Sequence, residues 1–434
     1  MAYPTYHEPC GWQTLLVPRC PEPALDGHAT ADVAVVGAGY TGLAAARTWA
    51  EARPDEVVAV LDSSVVGEGS PGRNSGFMLE IALADDADPG AVTRMAACNA
   101  LLGQTMDDLR RLVADNGIRC QLARRGTYRA AATAAGRRYL ERYRAFLDAA
   151  GLGYERLDGD DLHERIGTRY YGYGLHSPDC SLVQPAALIR GLADCLPRNV
   201  RLFEETPALG LAREGDGWRI ECPGGDLRAR RVILANNAFA RDLGAAGRGR
   251  LRARLAVMYT YAALTEPLPG RLLETLGRDP DWGLLPAHRL GTTLRRTVDG
   301  RFLVRSCYGY EREEDNGRVA ARLRACLEQR FPALTGAAAP FHAVWGGATG
   351  FTYNGAPVWG ALAPGLWVSA GCNGGGVVKG TLFGSLLARR ALGEDDTDVA
   401  ALFGSASWMP PEPLRQVGFA LISTLEQRSA GLET

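Results

Sequence analysis

Lysine is almost absent from this chain. Among its 434 residues Lys379 is the single lysine, and arginine makes up the rest of the 48 basic residues. Asp and Glu number 49, so the formal net charge is −1. A chain without a basic excess lacks the charge pattern that favours nucleic acid or an acidic membrane surface. We therefore expect no nucleic-acid partner.

The patterns of metal, thiol-redox and exported proteins are missing as well. The ten cysteines include no C-x-x-C pair, and the six histidines include no H-E-x-x-H. These absences exclude a zinc ribbon and a thioredoxin-like centre, and we expect no metal site. The first residues carry no basic stretch followed by an apolar one, so no signal peptide is expected. Thiols without an export signal predict a cytoplasmic protein.

Charge is missing from residues 331–378, which contain no Asp, Glu, Lys or Arg. Pro332, Pro340, Pro357 and Pro364 interrupt this stretch together with many glycines. A membrane helix needs about 20 regular apolar residues, and proline breaks such a helix. We therefore predict no membrane span, and expect buried turns and short strands close to a ligand.

Glycine is abundant, with 53 residues that cluster between apolar runs. Residues 32–62 predict a strand, a Gly-rich turn, a helix and a second strand, and both strands are continuous apolar runs typical of parallel sheets. A similar strand, turn and helix are predicted over 366–392. Between these ends we predict strands over 121–131, 231–235 and 255–310, with hairpin turns at 215–217 and 299–300, and helices over 91–114, 134–150, 185–196 and 318–330.

This order predicts an α/β + α+β fold, in which a Rossmann-like domain is interleaved with an antiparallel-sheet substrate domain. The expected nucleotide-binding domain is discontinuous and comprises residues 28–90, 178–244 and 345–395. The substrate domain takes residues 91–177 and 245–344, and residues 396–434 form a C-terminal extension.

The strongest local motif is Gly37-Ala38-Gly39-Tyr40-Thr41-Gly42, between a predicted strand and a predicted helix. Gly37 permits a tight turn, Gly39 lets the backbone approach a pyrophosphate, and Gly42 allows close helix–strand packing. Asp62 ends the next strand, where a carboxylate can accept hydrogen bonds from ribose hydroxyls. The motif therefore predicts dinucleotide binding. A Gly-rich turn in another α/β fold is the alternative.

FAD and NAD share this motif, and the following segment favours FAD. A second Gly-rich turn, GEGSPGRNSG at 67–76, suits the ribityl side of a flavin, although by itself it could be a solvated loop. Outside these two turns no further G-x-G-x-x-G follows a strand, so a separate NAD(P)H site is not indicated.

The segments VAVVGAGYTGL and LDSSVVGEGSPGRNSG resemble the D-amino-acid-oxidase-like superfamily of FAD-dependent oxidoreductases. Within it the chain is most similar to the gamma-glutamylputrescine oxidoreductase branch. Further similar segments are YGYGLHSPDCSLVQPAAL, RVILANNAFARDL, WGGATGFTYNGAPVWG and LWVSAGCNGGGVVKGTLFGSLLA. The resemblance implies FAD as cofactor, and oxidation of a primary or secondary amine to an imine by hydride transfer to the flavin.

The resemblance also implies a set of cofactor-binding residues. They are Gly37, Gly39, Tyr40, Thr41, Gly42, Asp62, Ser63, Arg73, Asn74, Ser75, Ala208, Asn236, Gly347, Gly374, Gly375, Gly376 and Val377. Two departures from the family pattern bear on the chemistry. Gly347 stands near the position of a flavin-linked cysteine in some relatives, so FAD is expected to be non-covalent. Gly375 replaces the histidine of a common Gly-His-Gly triplet, which removes an imidazole from the flavin edge.

Four residues are candidates for direct roles in the reaction: Lys379, Arg295, Arg305 and Tyr259. Lys379 lies in the first turn of the helix that follows the flavin-loop glycines, and it either serves the reduced flavin or an anionic substrate, or extends to solvent. Arg295 and Arg305 either bind a substrate carboxylate or are solvated strand arginines. Tyr259, with Tyr261, Tyr308 and Tyr310, forms an amine-binding cage or a half-buried sheet surface.

The expected substrate is a small-molecule amine, either an amino acid or a polyamine conjugate. Sarcosine-oxidase-like relatives place a lysine near flavin N5 for oxygen activation. Lys379 is the single lysine and cannot stand there on the central sheet, so the electron acceptor, O2 or another, stays open. An FAD-dependent dehydrogenase of a hydroxy acid or other C–H donor is the alternative, as is a flavoprotein that turns over no small-molecule amine.

Overall fold

The computed structural model describes residues 3–79, 92–244 and 248–434. Its strands, in chain order, are β1 (Gly27–Val36), β2 (Val58–Leu61), β3 (Phe77–Met78), β4 (Thr127–Ala131), β5 (Glu155–Asp158), β6 (Tyr173–Ser177), β7 (Ser181–Leu182), β8 (Val200–Phe203), β9 (Gly210–Glu214), β10 (Gly217–Cys222), β11 (Gly225–Leu234), β12 (Ala256–Thr265), β13 (Trp282–Pro286), β14 (Thr293–Arg296), β15 (Phe302–Tyr310), β16 (Phe341–Phe351), β17 (Val358–Ala363) and β18 (Leu366–Ala370). Its helices are α1 (Tyr40–Ala52), α2 (Ser70–Arg73), α3 (Val92–Asp115), α4 (Ala134–Ala149), α5 (Gly159–Ile166), α6 (Pro185–Asp194), α7 (Arg248–Arg252), α8 (Gly270–Leu273), α9 (Asn316–Arg330), α10 (Val378–Leu392), α11 (Val399–Phe403) and α12 (Leu414–Ala430).

The first sheet carries the Rossmann-like unit. Its main strand order is β17-β18-β11-β1-β2-β8, and the β9–β10 hairpin extends it from β11. The strands from β18 to β8 run parallel to one another, whereas β17 is antiparallel to β18. Apolar side chains of β1, β2, α1, α6 and α10 pack into one buried cluster on one face of this sheet. The continuous apolar runs of β1 and β2 are explained by this coverage.

Helices α1 and α10 approach each other closely because small residues line their contact. A Cβ built at Gly384 would lie 2.1 Å from the carbonyl oxygen of Thr41, and one at Gly380 would lie 3.0 Å from Thr41 Oγ1. The N-terminal turns of the two helices are therefore held side by side, although they are far apart in the sequence.

The second sheet has the strand order β16-β12-β15-β14-β13-β4-β6-β5 and is antiparallel except where β13 pairs with β4. A short pair, β3 with β7, joins the two units. The hairpin turn predicted at 299–300 connects β14 to β15, and Gly300 has φ of +76°. The α/β + α+β architecture is confirmed, with the parallel sheet assembled from both ends of the chain.

Most predicted elements are present, with differences at their ends. The strand predicted over 121–131 is restricted to β4, because residues 121–126 are irregular apart from an isolated bridge between Ala123 and Leu182. The C-terminal extension contains α11 and the long helix α12, whose C-terminal end is followed by the buried Glu433. No described helix is long and apolar enough to cross a membrane.

Candidate active site

The first glycine turn has the tight geometry that its sequence predicts. Gly37 has φ of +104°, a backbone conformation that favours glycine. A Cβ at Gly42 would lie 1.7 Å from the Gly37 carbonyl oxygen, and one at Gly39 would lie 3.0 Å from Pro71. Helix α1 begins at Tyr40 with no side-chain cap and no acidic residue in its first turn. Its unpaired N–H groups form a ready anion site.

Asp62 lies at the end of β2, directly beside this turn. Its Oδ2 accepts a hydrogen bond from the Ala38 amide at 2.7 Å, and its Oδ1 accepts one from the Ser64 amide at 3.1 Å. Burial raises the pKa of Asp62, and these hydrogen bonds oppose the shift. Ser63 follows it and is half-buried. The Thr206 amide donates to the Asp62 carbonyl at 2.6 Å, which holds the stretch leading to buried Ala208 against the turn.

The second glycine turn is closed by Arg73, which is buried. Its Nε donates to the Glu68 carbonyl at 2.6 Å, Nη1 to the Gly346 carbonyl at 2.7 Å, and Nη2 to the Glu8 carbonyl at 2.8 Å. Asn74 Nδ2 donates to the Pro71 carbonyl at 2.6 Å, and its Oδ1 accepts from the Gly76 amide at 2.8 Å. In this structure both side chains therefore fix the turn itself.

The N-terminal leader forms part of this region, which the sequence did not reveal. Tyr6 lies under the Arg73 guanidinium, 3.7 Å from the ring centroid, and its hydroxyl is 3.2 Å from Ser70 Oγ. Trp12 Nε1 donates to the Asn74 carbonyl at 2.8 Å, and buried Cys10 Sγ lies 3.3 Å from the Gly72 carbonyl oxygen. The available signal in the sequence was the apolar pair Cys10 and Trp12 near the start of the chain, together with Trp345 in β16.

The third glycine turn lies between β18 and α10. Asn237 Oδ1 accepts from the Gly371 amide at 2.9 Å, and Asn373 Oδ1 accepts from the Thr352 amide at 2.9 Å. Gly374 has φ of +83° and open space where a side chain would lie. Asn236 Oδ1 is buried and accepts no hydrogen bond from the described residues.

Lys379 folds back over this turn. A Cβ built at Gly375 would lie 3.4 Å from Lys379 Cε and 3.7 Å from its Nζ. The ammonium has no hydrogen-bond or ion-pair partner within the described ranges. Helix α10 starts after Val377 with no side-chain cap and no acidic residue in its first turn. Gly376 precedes that start, so a cation and free N–H groups meet at one place.

Gly347 lies on β16 opposite the second glycine turn. A Cβ there would lie 3.4 Å from Arg73 Cβ, which is ordinary contact. Trp345, two residues earlier on the same face, is fully buried and donates from Nε1 to the Arg73 carbonyl at 3.0 Å. Trp345 is therefore a core residue that also supports the second glycine turn.

Arg305 lies on the face of the second sheet that is turned toward the Rossmann-like unit. Arg305 pairs with Thr293 of β14, and Arg295, two residues further along β14, points to the same face. Because Arg295 contacts the second glycine turn, this face is turned toward the Rossmann-like unit. Arg305 Nη1 donates to the Tyr308 hydroxyl at 3.0 Å, and the guanidinium carbon lies 5.1 Å from the Tyr308 ring centroid. No other hydrogen bond or ion pair of Arg305 is present in the described part of the chain.

A β-bulge creates this pair. Opposite β12, Ser306 pairs with Tyr261 and Tyr308 with Thr260, so Cys307 is the extra residue, with φ of +60°. In a regular strand, residues 305 and 308 would point to opposite faces. Regular alternation of side chains along the strand would place Tyr308 on the face opposite Arg305, so the sequence did not indicate that the two are neighbours.

The expectations for Arg295 need correction. The side chain is only 1% exposed, so it is not a solvated arginine. Its Nη1 donates to the Ser75 carbonyl at 3.2 Å and also to that of Val183, and the guanidinium lies over the Trp12 ring. Burial lowers the pKa of Arg295 to about 10. Main-chain carbonyls hold the group that was expected to bind a substrate carboxylate.

The interpretation of the four tyrosines as one amine-binding cage is also wrong, because they lie on two different faces of the sheet. Tyr259 pairs with Ala348 and Tyr261 with Gly346, on the face opposite Arg305 and Tyr308. Tyr259 packs edge-on against Tyr6, with ring centroids 6.4 Å apart, and Tyr261 OH accepts from the Glu314 amide. Burial raises the pKa of Tyr259. Its position behind the sheet separates Tyr259 from the face that carries Arg305.

His342 and His288, both in the second half of the chain, have local partners. His342 Nδ1 lies 3.0 Å from Glu266 Oε1, and His288 Nδ1 accepts from the Leu290 amide at 3.2 Å. These contacts fit structural roles.

The residues present fit FAD. The N-termini of α1 and α10 lie side by side and have no side-chain cap, so their N–H groups are available to a phosphate or flavin. Glycines lie at the turns where a Cβ would collide with the backbone or occupy open space, and the buried Asn236 Oδ1 has no hydrogen-bond donor among the described residues. The α1 turn and Asp62 would hold the pyrophosphate and ribose, and the 374–377 turn would face the flavin.

The profile of the DAO family, described as FAD-dependent oxidoreductases, matches residues 32–390. The chain belongs to this family of FAD-dependent oxidoreductases. A probable oxidoreductase OrdL of Rhizobium meliloti is 27% identical over 404 residues, which cover 88% of each chain. The gamma-glutamylputrescine oxidoreductase of Escherichia coli K12 is 27% identical over 389 residues, covering 86% of each.

Solved DAO-type structures share the fold. Glycine oxidase from Geobacillus kaustophilus superposes with a TM-score of 0.72 at 21% identity, covering 88% of this chain and all of that one. The L-proline dehydrogenase of P. horikoshii has a TM-score of 0.69 at 15% identity, covering 88% of this chain and 96% of that one. As a DAO-family member, the protein is an FAD-dependent enzyme with an FAD-binding unit beside an antiparallel sheet.

Proposed function

We propose that this enzyme oxidises a small primary or secondary amine that also carries a carboxylate, such as an amino acid or a carboxylate-bearing polyamine conjugate. One observation carries the proposal. Arg305 presents a guanidinium on the sheet face turned toward the FAD-binding unit, and the described residues offer it a tyrosine hydroxyl but no carboxylate. A guanidinium with free donors binds a carboxylate in a bidentate manner.

The names of similar proteins support this substrate class. Gamma-glutamylputrescine, glycine and L-proline each combine an amine with a carboxylate, and they are the substrates named for one sequence relative and for the superposed structures. The identities are low, so this support concerns the class of substrate alone.

Bound FAD would supply the hydride acceptor for oxidation of the carbon that carries the amine, and the imine product would be hydrolysed by water. Arg305 would bind the carboxylate and fix the substrate at one distance from the flavin. Tyr308, placed by the bulge, holds the Arg305 head, and its own hydroxyl donates to the Arg289 carbonyl at 3.0 Å. Lys379 and the free N–H groups of α10 would stabilise negative charge at the third glycine turn.

Changing Arg305 to Met tests the carboxylate contact. We expect KM to rise strongly for an acidic substrate and little for its amide, because only the acid loses a charge-assisted pair of about 1.5–3 kcal/mol. Arg156→Met, an exposed arginine on β5 of the same sheet, is the matched control. Equal effects of Arg305→Met on acid and amide would remove Arg305 from substrate binding.

An anaerobic screen separates the chemical classes. Amines should bleach the flavin absorbance, whereas matched hydroxy acids should not. Bleaching by hydroxy acids alone would favour the dehydrogenase alternative, and bleaching by neither would favour a flavoprotein without amine turnover. Admitting air afterwards shows whether O2 reoxidises the flavin, which decides the acceptor.

A cytoplasmic location is part of the proposal. The ten cysteines, all within the described part of the chain, form no disulfide with one another, and Cys10 is fully buried, which fits a reducing compartment. Fractionation of the native host would test it.

A further inference from the structure

Part of the second sheet is only half-buried on the face that carries Arg305. Along β15, Arg305, Tyr308 and Tyr310 point to this face, and each of them is half-buried. On the neighbouring strand β12, Met258 pairs with Tyr310 and Thr260 pairs with Tyr308, and both are half-buried as well. In the described part of the chain, these five side chains therefore line an open space that begins at Arg305.

Helix α12 runs past the end of this space. The Phe419 ring stacks on the Tyr310 ring, with centroids 5.0 Å apart and planes inclined by 27°. The Tyr310 hydroxyl donates to Glu412, which lies just before the helix, so the ring is held at its face and at its tip. Arg415 Nη1 donates to the Leu255 carbonyl at 3.0 Å, which fixes the helix to the start of β12. Phe419 is therefore a fixed neighbour of the open space.

A chain of contacts joins the other half of α12 to Arg305. Glu426 accepts a hydrogen bond from Arg289 Nε at 2.8 Å and another from Arg289 Nη2. The Arg289 carbonyl accepts from the Tyr308 hydroxyl at 3.0 Å. The same hydroxyl accepts from Arg305 Nη1 at 3.0 Å. Glu426 therefore fixes the loop residue on which the position of the Arg305 guanidinium depends.

We propose that α12 is the outer wall of the substrate site. Glu426 is a positioning residue that acts on Arg305 through this chain of contacts, and Phe419 limits the length of the substrate that Arg305 binds. This role rests on the proposed function, because Arg305 is taken as the residue that binds the substrate carboxylate. The helix lies beyond residue 390, where the match to the family profile ends.

The distance between Arg305 and the wall indicates an elongated substrate. Side chains on one face of a strand repeat every two residues, about 6.6–6.8 Å, so Tyr310 lies about 13 Å along β15 from Arg305. A carboxylate bound at Arg305 thus leaves room for a chain of several carbon atoms before Phe419. Aromatic rings and the Met258 thioether line this room, which suits methylene groups. An amine–carboxylate with a methylene chain fits the site better than a compact one.

A series of straight-chain carboxylates, from butyrate to decanoate, probes the wall without turnover. Calorimetric titration of the FAD-loaded enzyme measures their affinity. We expect affinity to rise about fourfold with each added methylene, and to fall once the chain reaches Phe419. Phe419→Ala should move this limit to longer chains, and Phe419→Leu should move it less. Leu425→Ala, at an exposed position of the same helix, is the control and should keep the wild-type limit.

Glu426→Gln tests the positioning role with the same probes. It should weaken the binding of each carboxylate about fivefold, since a partly exposed ion pair contributes no more than that, and leave the corresponding amides unchanged. Added to Arg305→Met, it should have no further effect, because Glu426 acts through Arg305. Glu164→Gln, which breaks the exposed ion pair with Arg278, is the matched control. Unchanged FAD content shows that each variant is folded.

The outcomes separate the wall from the proposed function. If Arg305→Met weakens acids and amides equally, the proposed function is wrong and the positioning role of Glu426 fails with it. If Arg305→Met selects against acids, but Glu426→Gln weakens acids and amides equally or adds its full effect to Arg305→Met, α12 is a structural brace alone. A chain-length limit that Phe419→Ala leaves in place would overturn the wall in either case.

Discussion

Asp62 is held by the protein before any ligand is considered, since it accepts hydrogen bonds from the Ala38 and Ser64 amides. These bonds aim the carboxylate beside the first glycine turn. A ribose hydroxyl that donates to it needs no rearrangement of the side chain. The carboxylate is thus pre-organised, and its loss should be felt in cofactor affinity.

Asp62→Ala is expected to weaken FAD binding by about 1–3 kcal/mol, because the ribose loses a buried acceptor. Titration of apoprotein with FAD, followed by flavin fluorescence, measures the change. Asp55→Ala, at an exposed turn aspartate, is the control. Since burial raises the pKa of Asp62, wild-type affinity should also fall as the pH drops through that raised pKa, while the variant loses this dependence. An affinity equal to wild type would remove Asp62 from the site.

Lys379→Met removes the ammonium and keeps a similar stem. If the charge serves the reduced flavin, the midpoint potential should fall and anaerobic reduction should slow while FAD remains bound. A spectroelectrochemical titration measures the potential. Arg389→Met, in the last turn of the same helix, controls for a general charge effect. Wild-type potential and reduction rate would make Lys379 an ordinary surface lysine.

Among single residues, the sequence predicted the positions that depend only on the geometry of neighbouring residues in the chain. Gly37, Gly42 and Asp62 follow from a turn, a helix start and a strand end that are contiguous in the chain. Arg295 could not be judged in this way. Its burial depends on Trp12, Ser75 and Val183, which arrive from three distant segments.

At the scale of elements, β15 shows why strand alternation misled. The bulge at Cys307 changes the face of every residue after it, so Tyr308 joins Arg305. Nothing in the local sequence marks the bulge with a glycine. A cysteine there adopts φ of +60°, a conformation that costs non-glycine residues about 1–2 kcal/mol.

Cys307→Val should therefore destabilise the enzyme and raise KM, because a β-branched residue resists this backbone conformation. Cys307→Gly should retain or raise the melting temperature and keep KM. Thermal melts and steady-state kinetics measure both. The pair is its own control, since each variant removes the thiol and only the conformational preference differs. Equal behaviour of the two variants would refute the role of the bulge.

At the scale of the whole molecule, the C-terminal extension contacts two separate parts of the second sheet. Arg415 binds carbonyls near the start of β12, and Glu433 reaches the N-terminus of α4. Glu433 Oε1 accepts from the Ala132 amide at 2.9 Å and from the Thr133 amide at 2.7 Å. The extension therefore acts as a brace between the start of β12 and the end of β4, which are separated in the sheet by β15, β14 and β13.

Glu433→Ala should lower the free energy of unfolding by about 1.5–3 kcal/mol, since it removes a buried charged acceptor and leaves main-chain donors unpaired. Denaturant unfolding measures the loss. Glu274→Ala, at an exposed glutamate, should change nothing. A full-stability Glu433→Ala variant would show that the extension does not brace the sheet.

The architecture was predictable because both Rossmann-type strands, their glycine turns and their helices are written in continuous segments. The relation between segments was not. The aromatic residues near the start of the chain did not indicate that Tyr6 and Trp12 contact the second glycine turn. The exposed apolar face of α12, formed by Leu414, Val417, Leu421 and Leu425, was equally hidden, because an apolar helical repeat predicts a buried face and only the tertiary structure shows that it is exposed.

The single lysine of the chain lies over the third glycine turn, and this gives the enzyme a built-in spectroscopic probe. Reductive methylation with ¹³C-formaldehyde would mark one lysine side chain, at Lys379 beside Gly375. The dimethylamine resonance of Lys379, which its pH dependence distinguishes from that of a chain-terminal amine, would then report on flavin binding and reduction without the crowding that many lysines cause. Protection of the same amine by FAD would give a binding assay that does not depend on turnover.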